Sequence, residues 1–223
     1  MNKQGPGKIE WTNYTWSPVT GCKNGCSYCY ANQIAQRIYP EKFEPTFRPE
    51  RLKDKDIGRV PAGSRVFVVD MGDLFGSWVP DEWIEAVLKV TRENPQYVWQ
   101  FLTKNPRRYD EWLTEFTHDS WLGATEDCRQ IAQPRRYTMQ TMCHWKGVKF
   151  LSCEPLLGKL IGPIDDLDWI IVGEENHRTH TPEEWEIIRQ NADHLIFRAH
   201  ANNIPVFVKN ELGKHFEMRE FPT

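Results

Sequence analysis

Three cysteines, Cys22, Cys26 and Cys29, lie in one short stretch of this 223-residue chain with the spacing C-x3-C-x2-C. Thiolates are strong metal ligands, and Gly21 and Gly25 give the stretch the freedom to wrap around a metal centre. A structural zinc site normally takes four protein ligands, often as two pairs, and the sequence has no second C-x2-C. Three thiolates without an obvious fourth ligand favour a cubane iron–sulfur cluster that leaves one iron open to a small molecule. A zinc or adventitious site completed by a distant histidine or cysteine is the alternative.

The other three cysteines, Cys128, Cys143 and Cys153, are scattered along the chain. Their spacing is too wide for an auxiliary cluster, so we predict no second one. Cys153 stands within a polar cluster after an apolar run, which favours a side chain that faces a cavity. The alternative is a small buried side chain, because free cysteine is usually buried.

Six apolar runs rich in β-branched and aromatic residues end abruptly in polar residues. They cover residues 65–70, 97–102, 121–124, 148–151, 169–172 and 204–208. Helical patterns separate several of them, and this alternation predicts a parallel sheet covered by helices. Parallel sheets carry their chemistry at the carboxyl ends of the strands, so we predict one shared site built from the polar residues there. The alternative is that these positions are polar because loops are polar.

Three sequence patterns predict where helices begin. Pro80-Asp81-Glu82 places a proline and two acids at a helix start. Thr181-Pro182-Glu183-Glu184 is a capping box followed by Trp185, Ile188 and Leu195. Asn105-Pro106 predicts a third helix that carries Tyr109, Trp112, Leu113 and Phe116 on one stripe. A further helix over residues 31–38 follows the three cysteines.

Residues 39–63 differ from the rest of the chain. The segment holds four prolines and six basic residues and has weak periodicity. We predict an irregular insertion between the first helix and the next strand, and a loop of that length is usually functional or mobile. The length of the chain otherwise fits one domain over residues 1–223.

Composition limits the classes of function. The net charge is −3, so a broadly basic nucleic-acid coat is excluded while a local basic patch is not. Mean hydropathy is −0.64, no apolar run approaches the ~18 residues of a membrane span, and the first twenty residues lack the apolar centre of a secretion signal. We therefore expect a soluble, cytoplasmic protein with no membrane partner.

The cysteine spacing, with aromatic Tyr28 just before the last cysteine, resembles the radical S-adenosylmethionine (SAM) superfamily. Longer stretches are more specific. They include Cys26-Ser-Tyr-Cys-Tyr-Ala31, the stretch Leu151-Ser-Cys-Glu-Pro-Leu156 and residues 11–22, 45–52 and 168–173. Together they resemble an uncharacterised phage and prophage family of radical-SAM-like proteins across nearly the whole chain.

The superfamily resemblance implies a fold, two cofactors and a partner. The fold is α/β, a partial (β/α)6 TIM-like barrel of parallel strands, here with the irregular insertion after the first helix. The cofactors are a [4Fe–4S] cluster and SAM, which such enzymes cleave reductively to a 5′-deoxyadenosyl radical. The implied partner is a reducing electron donor of the flavodoxin or ferredoxin type. The narrower family implies no agreed substrate.

The resemblance also implies where SAM binds. Superfamily members commonly carry a Gly-Gly-Glu-like stretch after the second strand, and Met71-Gly72-Asp73 stands at the matching place with one glycine and an aspartate. Either the carbonyl of Met71 or the carboxylate of Asp73 is suited to accept from the SAM ammonium. By strand order the other implied contacts are Thr103, Lys104, Glu126, Ser152, Glu154 and Gly173. Glu126 suits the ribose diol and Lys104 the SAM carboxylate, while the alternative for each is a surface ion pair. If the radical chemistry holds, Cys153 is a candidate hydrogen-atom donor to a substrate radical.

The sequence leaves the substrate open. Arginines in pairs and in the insertion, with nearby tryptophan and tyrosine, are typical of nucleic-acid recognition but equally of solvated helix faces and core. A nucleic acid, a protein or a small molecule therefore remains as substrate. Two non-catalytic alternatives also remain: an iron–sulfur or zinc-binding adaptor, and a metal-independent α/β binding protein with incidental cysteines.

Overall fold

A computed structural model describes residues 1–53, 57–127, 133–175 and 179–223, except the side chains of 210 and 211. The chain forms two compact units, Met1–Leu122 and Gly123–Thr223. In the described part of the chain no helix is both long and apolar enough to cross a membrane.

The fold is mixed α/β with a mostly parallel sheet. Its strands are β1 (Asn2–Lys3), β2 (Tyr14–Trp16), β3 (Val19–Thr20), β4 (Thr46–Phe47), β5 (Arg65–Val68), β6 (Val98–Thr103), β7 (Trp121–Thr125), β8 (Lys149–Cys153), β9 (Trp169–Val172) and β10 (Val206–Val208). Its α-helices are α1 (Tyr30–Ile38), α2 (Asp81–Glu93), α3 (Gln133–Thr141), α4 (Pro182–Ala201) and α5 (Asn210–Phe216). The main sheet has eight strands in the order β1-β2-β5-β6-β7-β8-β9-β10. This confirms the predicted fold class, a partial TIM-like arrangement with strands and helices in alternation.

In the first unit, β2, β5 and β6 run parallel, with Trp16 opposite Val68 and Val68 opposite Phe101. β1 pairs antiparallel with β2. The apolar run that predicted β5 is buried from Val66 to Val68, as expected for a strand with both faces covered. The three strands therefore end side by side, and the polar residues that follow β5 and β6 lie at one edge.

In the second unit, β8, β9 and β10 run parallel, with Cys153 opposite Val172 and Val172 opposite Val208. Every residue of β9, from Trp169 to Val172, is fully buried. Such a continuous apolar run is the sequence pattern of a central strand in a parallel sheet. The ends of these strands also lie at one edge.

The helix starts at Pro80 and Thr181 are confirmed. Pro80 is the N-cap of α2, and Thr181 forms the complete capping box of α4, with Glu184 N donating to Thr181 Oγ1 at 3.2 Å and Thr181 N to Glu184 Oε2 at 2.9 Å. α3 and α5 were not expected from the sequence. The weak apolar patterning of Gln133–Thr141, which buries only Arg136 and Met139, explains why α3 escaped notice.

The prediction of one continuous helix after Asn105-Pro106 was wrong. The segment forms two 3-10 helices, Pro106–Glu111 and Leu113–Glu115, separated at Trp112. Tyr109 and Phe116 both pack on the ring of Phe75, with centroids 4.7 and 5.8 Å away. The tight turns thus follow the packing of this aromatic cluster, which the helical stripe alone did not reveal.

The predicted insertion lies between α1 and β5. β4 pairs antiparallel with β3, with Val19 opposite Phe47, and a 3-10 helix follows at Pro49–Lys53. Just before β4, the carbonyl of Phe43 accepts from Cys22 N at 3.0 Å. The insertion therefore contacts the beginning of the cysteine stretch.

Candidate functional site

The cysteine stretch is attached to the chain segment that follows β5. Gly21 N donates to the carbonyl of Met71 at 2.8 Å, and Gly21 bridges to Gly72 in parallel register. Gly21 has φ +85°, and a Cβ there would lie 2.2 Å from the carbonyl oxygen of Glu44. Only glycine fits where the chain passes this close to Glu44. We call residues 21–29 the cysteine loop, and Gly21 fixes the point at which this loop leaves the sheet.

The three thiols of the cysteine loop are half-buried, and those of Cys22 and Cys29 accept hydrogen bonds from N–H donors. Cys22 Sγ accepts from Asn24 N at 3.4 Å and from Asn24 Nδ2 at 3.2 Å. Cys29 is the N-cap of α1, and its Sγ accepts from Asn32 N at 3.4 Å. Donated N–H groups and a helix N-terminus both stabilise negative charge on sulfur, which suits thiolate ligands.

No three His, Cys, Asp or Glu side chains in the described part of the chain are arranged to hold a single metal ion. A cubane cluster makes a different demand, because each thiolate binds its own iron at a separate corner. Three half-buried thiols on one loop, two of which accept N–H donors, therefore fit a cluster in their chemistry.

Burial changes the acidity of two of these thiols. It raises the pKa of Cys22 to about 12, despite the opposing hydrogen bonds from Asn24. Burial raises the pKa of Cys29 as well. Both shifts favour the protonated thiol. Metal binding must displace these protons, so loading is expected to release them.

Asp73 connects the cysteine loop to the ends of β5 and β6. Its carboxylate is 4 % exposed and accepts hydrogen bonds from four donors. They are Thr103 Oγ1 at 2.6 Å, Asn24 Nδ2 at 2.9 Å, Lys104 N at 3.1 Å and Phe75 N at 3.2 Å. A carboxylate offers about four lone-pair positions, so these donors account for its capacity.

Lys104 brings a positive charge to the loop. Its Nζ lies 5.6 Å from the centroid of the Tyr28 ring, within the range of a cation–π contact. Its charge also acts on Cys29, where it opposes the effect of burial on the pKa. A lysine here is suited to balance the negative charge of metal-bound thiolates.

The segment between β5 and Asp73 is strained at Val69. Val69 has φ +62°, which is rare for a β-branched residue, and its N–H donates to the carbonyl of Trp16 at 2.8 Å. The next residue, Asp70, accepts from the Ser17 hydroxyl, and its carbonyl accepts from Tyr30 OH at 2.8 Å. Burial raises the pKa of the Asp70 carboxyl. The turn therefore fixes Met71, Gly72 and Asp73 against the cysteine loop and α1.

In the second unit, Glu126 follows β7 and is fully buried. Its backbone N–H donates to the carbonyl of Ser152 at 2.9 Å. Its Oε2 lies 3.8 Å from Nη1 of Arg136, a buried guanidinium that also donates to the carbonyl of Ile161 at 2.6 Å. The carboxylate predicted to contact the SAM ribose is therefore close to a buried cation.

Glu154 and Lys209 form a second ion pair, after β8 and β10. Lys209 Nζ lies 2.5 Å from Glu154 Oε1, and Lys209 is only 5 % exposed. Gly173 lies against the pair: a Cβ there would be 3.0 Å from Cγ of Lys209 and 3.3 Å from Cγ of Glu154. The predicted site residues included Glu154 and Gly173 but not Lys209, and Arg136 was considered only for nucleic-acid contact. Lys209 directly follows the last predicted strand, so the expectation that site residues lie at strand ends could have identified it.

The other cysteines have contrasting surroundings. Cys153 is fully buried at the end of β8, and its carbonyl accepts from Gly173 N at 3.2 Å. Ser152 is 2 % exposed. Cys143 is exposed, and Cys128 lies outside the described residues. The role of Cys153 as a hydrogen-atom donor stays a prediction.

The structure thus gathers the sequence-predicted site residues in two sets. In the first unit, hydrogen bonds, short loop connections and charge contacts link Cys22, Cys26, Tyr28, Cys29, Met71, Gly72, Asp73, Thr103 and Lys104. In the second unit, Glu126, Ser152, Cys153, Glu154 and Gly173 lie at the ends of parallel strands. The strand-order assignment of these residues to SAM stays a prediction.

Several arginines considered for nucleic-acid contact are engaged within the protein. Their guanidinium groups donate to protein oxygens: Arg48 to Thr20 Oγ1, Arg51 to the carbonyl of Ser17, Arg108 to that of Gly76 and Arg136 to that of Ile161. These side chains position segments of the chain, so they give little support to a nucleic-acid surface.

Solved structures of spore photoproduct lyase share the fold. A double mutant with bound AdoMet and dinucleoside spore photoproduct is 12% identical, with a TM-score of 0.55, and the match covers 86% of this chain and 63% of that one. The lyase complexed with dinucleoside spore photoproduct is 13% identical, with a TM-score of 0.56, and the match covers 86% of this chain and 63% of that one. A tyrosine-to-phenylalanine mutant is 11% identical, with a TM-score of 0.61, and the match covers 93% of this chain and 78% of that one. This chain therefore spans less than two thirds of the length of the first two matched chains.

Sequence comparison gives a different kind of match. No curated protein sequence is similar to the chain. A family model described as "Protein of unknown function (DUF5131)" matches residues 6–220.

Proposed function

We propose that this chain, which belongs to the family described as "Protein of unknown function (DUF5131)", is a radical SAM enzyme. The observation that carries the proposal is the cysteine loop, held at the carboxyl end of β5 by the Gly21–Met71 and Asn24–Asp73 hydrogen bonds. Parallel α/β folds carry their sites at that end of the strands. The fold shared with AdoMet-bound spore photoproduct lyase supports the same proposal.

Cys22, Cys26 and Cys29 would hold a [4Fe–4S] cluster with one iron left open. The Asn24 N–H groups, the N-terminus of α1 and the Lys104 ammonium offset the negative charge of the thiolates. When bound, the cluster supplies the electron for reductive cleavage of SAM to methionine and a 5′-deoxyadenosyl radical. A zinc site remains an outcome of the test, and so does a non-catalytic adaptor.

The SAM ammonium would be received by the segment after β5. Asp73 and the Met71 carbonyl both stand there, and the four donors already on Asp73 favour Met71 as the direct acceptor. Among the described residues Gly21 N donates one hydrogen bond to the Met71 carbonyl, and a carbonyl has two lone pairs. Asp73 would then contribute by holding the loop, and Lys104 would contact the SAM carboxylate.

A nucleic acid carrying a modified or damaged base is the substrate class that we favour. The support is the fold shared with proteins that bind a dinucleoside spore photoproduct. A protein substrate is the alternative. A flavodoxin- or ferredoxin-like electron donor and a cytoplasmic location complete the proposal, since the proposed chemistry needs a strong cellular reductant.

The test is SAM cleavage by the reconstituted protein. Protein loaded anaerobically with iron and sulfide, then reduced with dithionite, should release 5′-deoxyadenosine and methionine, measured by chromatography. The Cys26→Ala variant and unreduced protein should release none. Iron-loaded, reduced protein that neither binds nor cleaves SAM would support the adaptor instead. Adding a dinucleoside photoproduct or a control peptide then separates the two substrate classes by which one increases 5′-deoxyadenosine.

A further inference from the structure

The side chain of Asn24 joins a cluster ligand to a buried carboxylate. Its Nδ2 lies 3.2 Å from Cys22 Sγ and 2.9 Å from Asp73 Oδ2. Its backbone N–H lies 3.4 Å from the same sulfur. One residue between the first two cysteines thus directs two N–H donors at one thiol.

Asp73 determines which end of the amide faces the sulfur. An ionised carboxylate only accepts hydrogen bonds, so the amide nitrogen, and not its oxygen, must point to Asp73. The same nitrogen is the atom that reaches Cys22. Asp73 is itself held by Thr103 Oγ1 at 2.6 Å and Lys104 N at 3.1 Å, which fixes the carboxylate and, through it, the amide.

The surroundings of Cys29 differ in this respect. Its Sγ accepts from the backbone of Asn32, whose side-chain oxygen instead accepts from Gln36 Nε2 at 3.1 Å. Cys22 is therefore the thiol at which a side-chain substitution can remove a donor. Asn32 offers a control substitution at which the donor to sulfur is kept.

We infer that Asn24 is a positioning residue that sets the reduction potential of the metal centre through Cys22, with Asp73 orienting its amide. The inference rests on the proposed function. Reduction adds one electron from the donor to the cluster, and no bond forms or breaks. Hydrogen bonds to a ligand sulfur stabilise the more negative, reduced state and so raise the potential. The loop would thereby make the cluster easier to reduce.

Redox titration of the reconstituted protein, followed by electron paramagnetic resonance (EPR), tests this inference. Asn24→Ala should keep about four irons while its midpoint potential becomes more negative. We expect about a tenfold loss in the equilibrium constant for reduction, which is about 59 mV for one electron. Asn24→Asp, which also adds a negative charge, should shift it further. Asn32→Ala should keep the wild-type midpoint.

The outcomes separate the inference from the proposed function. An Asn24 variant with a full cluster and the wild-type midpoint would overturn the inference alone. Loss of the cluster from both Asn24 variants, but not from Asn32→Ala, would also overturn it and leave Asn24 a purely structural residue. A wild-type protein that holds no cluster would overturn the proposed function itself.

Discussion

In the unit formed by Met1–Leu122, the carboxylate after β5 is held by hydroxyl and N–H donors, whereas in Gly123–Thr223 the carboxylates after β7 and β8 face buried cations. Asp73 accepts from Thr103, Asn24 and two backbone N–H groups. Glu126 lies near Arg136, and Glu154 pairs with Lys209. The thiols differ too: those of the first unit are half-buried, while Cys153 is fully buried.

Polar residues at strand ends therefore differ in their surroundings between the two units. The Asp73 carboxylate is held by neutral donors and lies beside a loop of potential metal ligands. The charge of a carboxylate beside a buried cation is already compensated, and removing either partner of such a pair destabilises the fold. The metal centre that we propose lies in the first unit, whereas the carboxylates of the second unit are expected to fix the strand ends.

The largest effect is expected from the cysteine loop. Alanine in place of Cys22, Cys26 or Cys29 should remove essentially all iron from anaerobically reconstituted protein, because three thiolates are the minimum for the proposed cluster. Cys143→Ala, at an exposed cysteine, should keep the full iron content. Iron and sulfide analysis measures both. A loop variant with normal iron content would show that the cluster lies elsewhere.

The Glu154–Lys209 ion pair should contribute strongly to the stability of the second unit. Lys209→Met leaves Glu154 without its cation and should lower the free energy of unfolding by about 3–5 kcal/mol in urea titrations. Adding Glu154→Gln should recover part of that loss. Lys146→Met, at an exposed lysine, should stay within about 0.5 kcal/mol of wild type. A Lys209 variant as stable as wild type would remove the contrast between the two units.

Asp73→Asn tests how the carboxylate of the first unit acts. Four donors face it, so an NH2 group in its place should leave at least one donor unpaired and cost about 1–3 kcal/mol of unfolding free energy. The midpoint potential of the cluster should become more negative, since the Asn24 amide must then compete for the one remaining acceptor oxygen. Unchanged stability and iron content with weakened SAM binding would instead support the direct SAM contact expected from the sequence.

Asp70 should give the smallest effect, seen in pH dependence. Burial raises the pKa of this carboxyl in the folded protein. Its contribution to stability is therefore complete below the unfolded value of about 4 and is lost as the pH rises through the folded pKa. The stability of wild type relative to Asp70→Asn should fall over that interval. Urea titrations at several pH values measure it, with Asp110→Asn as an exposed control. A difference that is constant with pH would contradict the assignment.

Much of the fold was predictable because buried parallel strands are continuous apolar runs. The run over Trp169–Val172 was predicted to the residue, and the Thr181 capping box was predicted with its partners. The segment after Asn105 was misjudged because its aromatic spacing fits an α-helix as well as the packing around Phe75. Spacing gives no information about which neighbour an aromatic ring will meet.

The candidate site was predictable in its members but not in its connections. The cysteine spacing and the strand-end rule identified Cys22, Asp73 and Lys104. Neither rule indicated that Asn24 joins Cys22 to Asp73, because that link depends on where the loop crosses the segment after β5. Arg136 was hidden for a similar reason: a basic residue in a polar helix gives no sign that it is buried near Glu126.

The EPR spectrum of the reconstituted, dithionite-reduced protein, recorded with and without SAM, tests the proposed function most directly. We predict the signal of a reduced [4Fe–4S] cluster whose g values change when SAM is added, because SAM would bind at the open iron. The Cys26→Ala variant should give no such signal. A protein that binds stoichiometric zinc and no iron, or a cluster whose spectrum is unaltered by saturating SAM, would show that the proposed function is wrong.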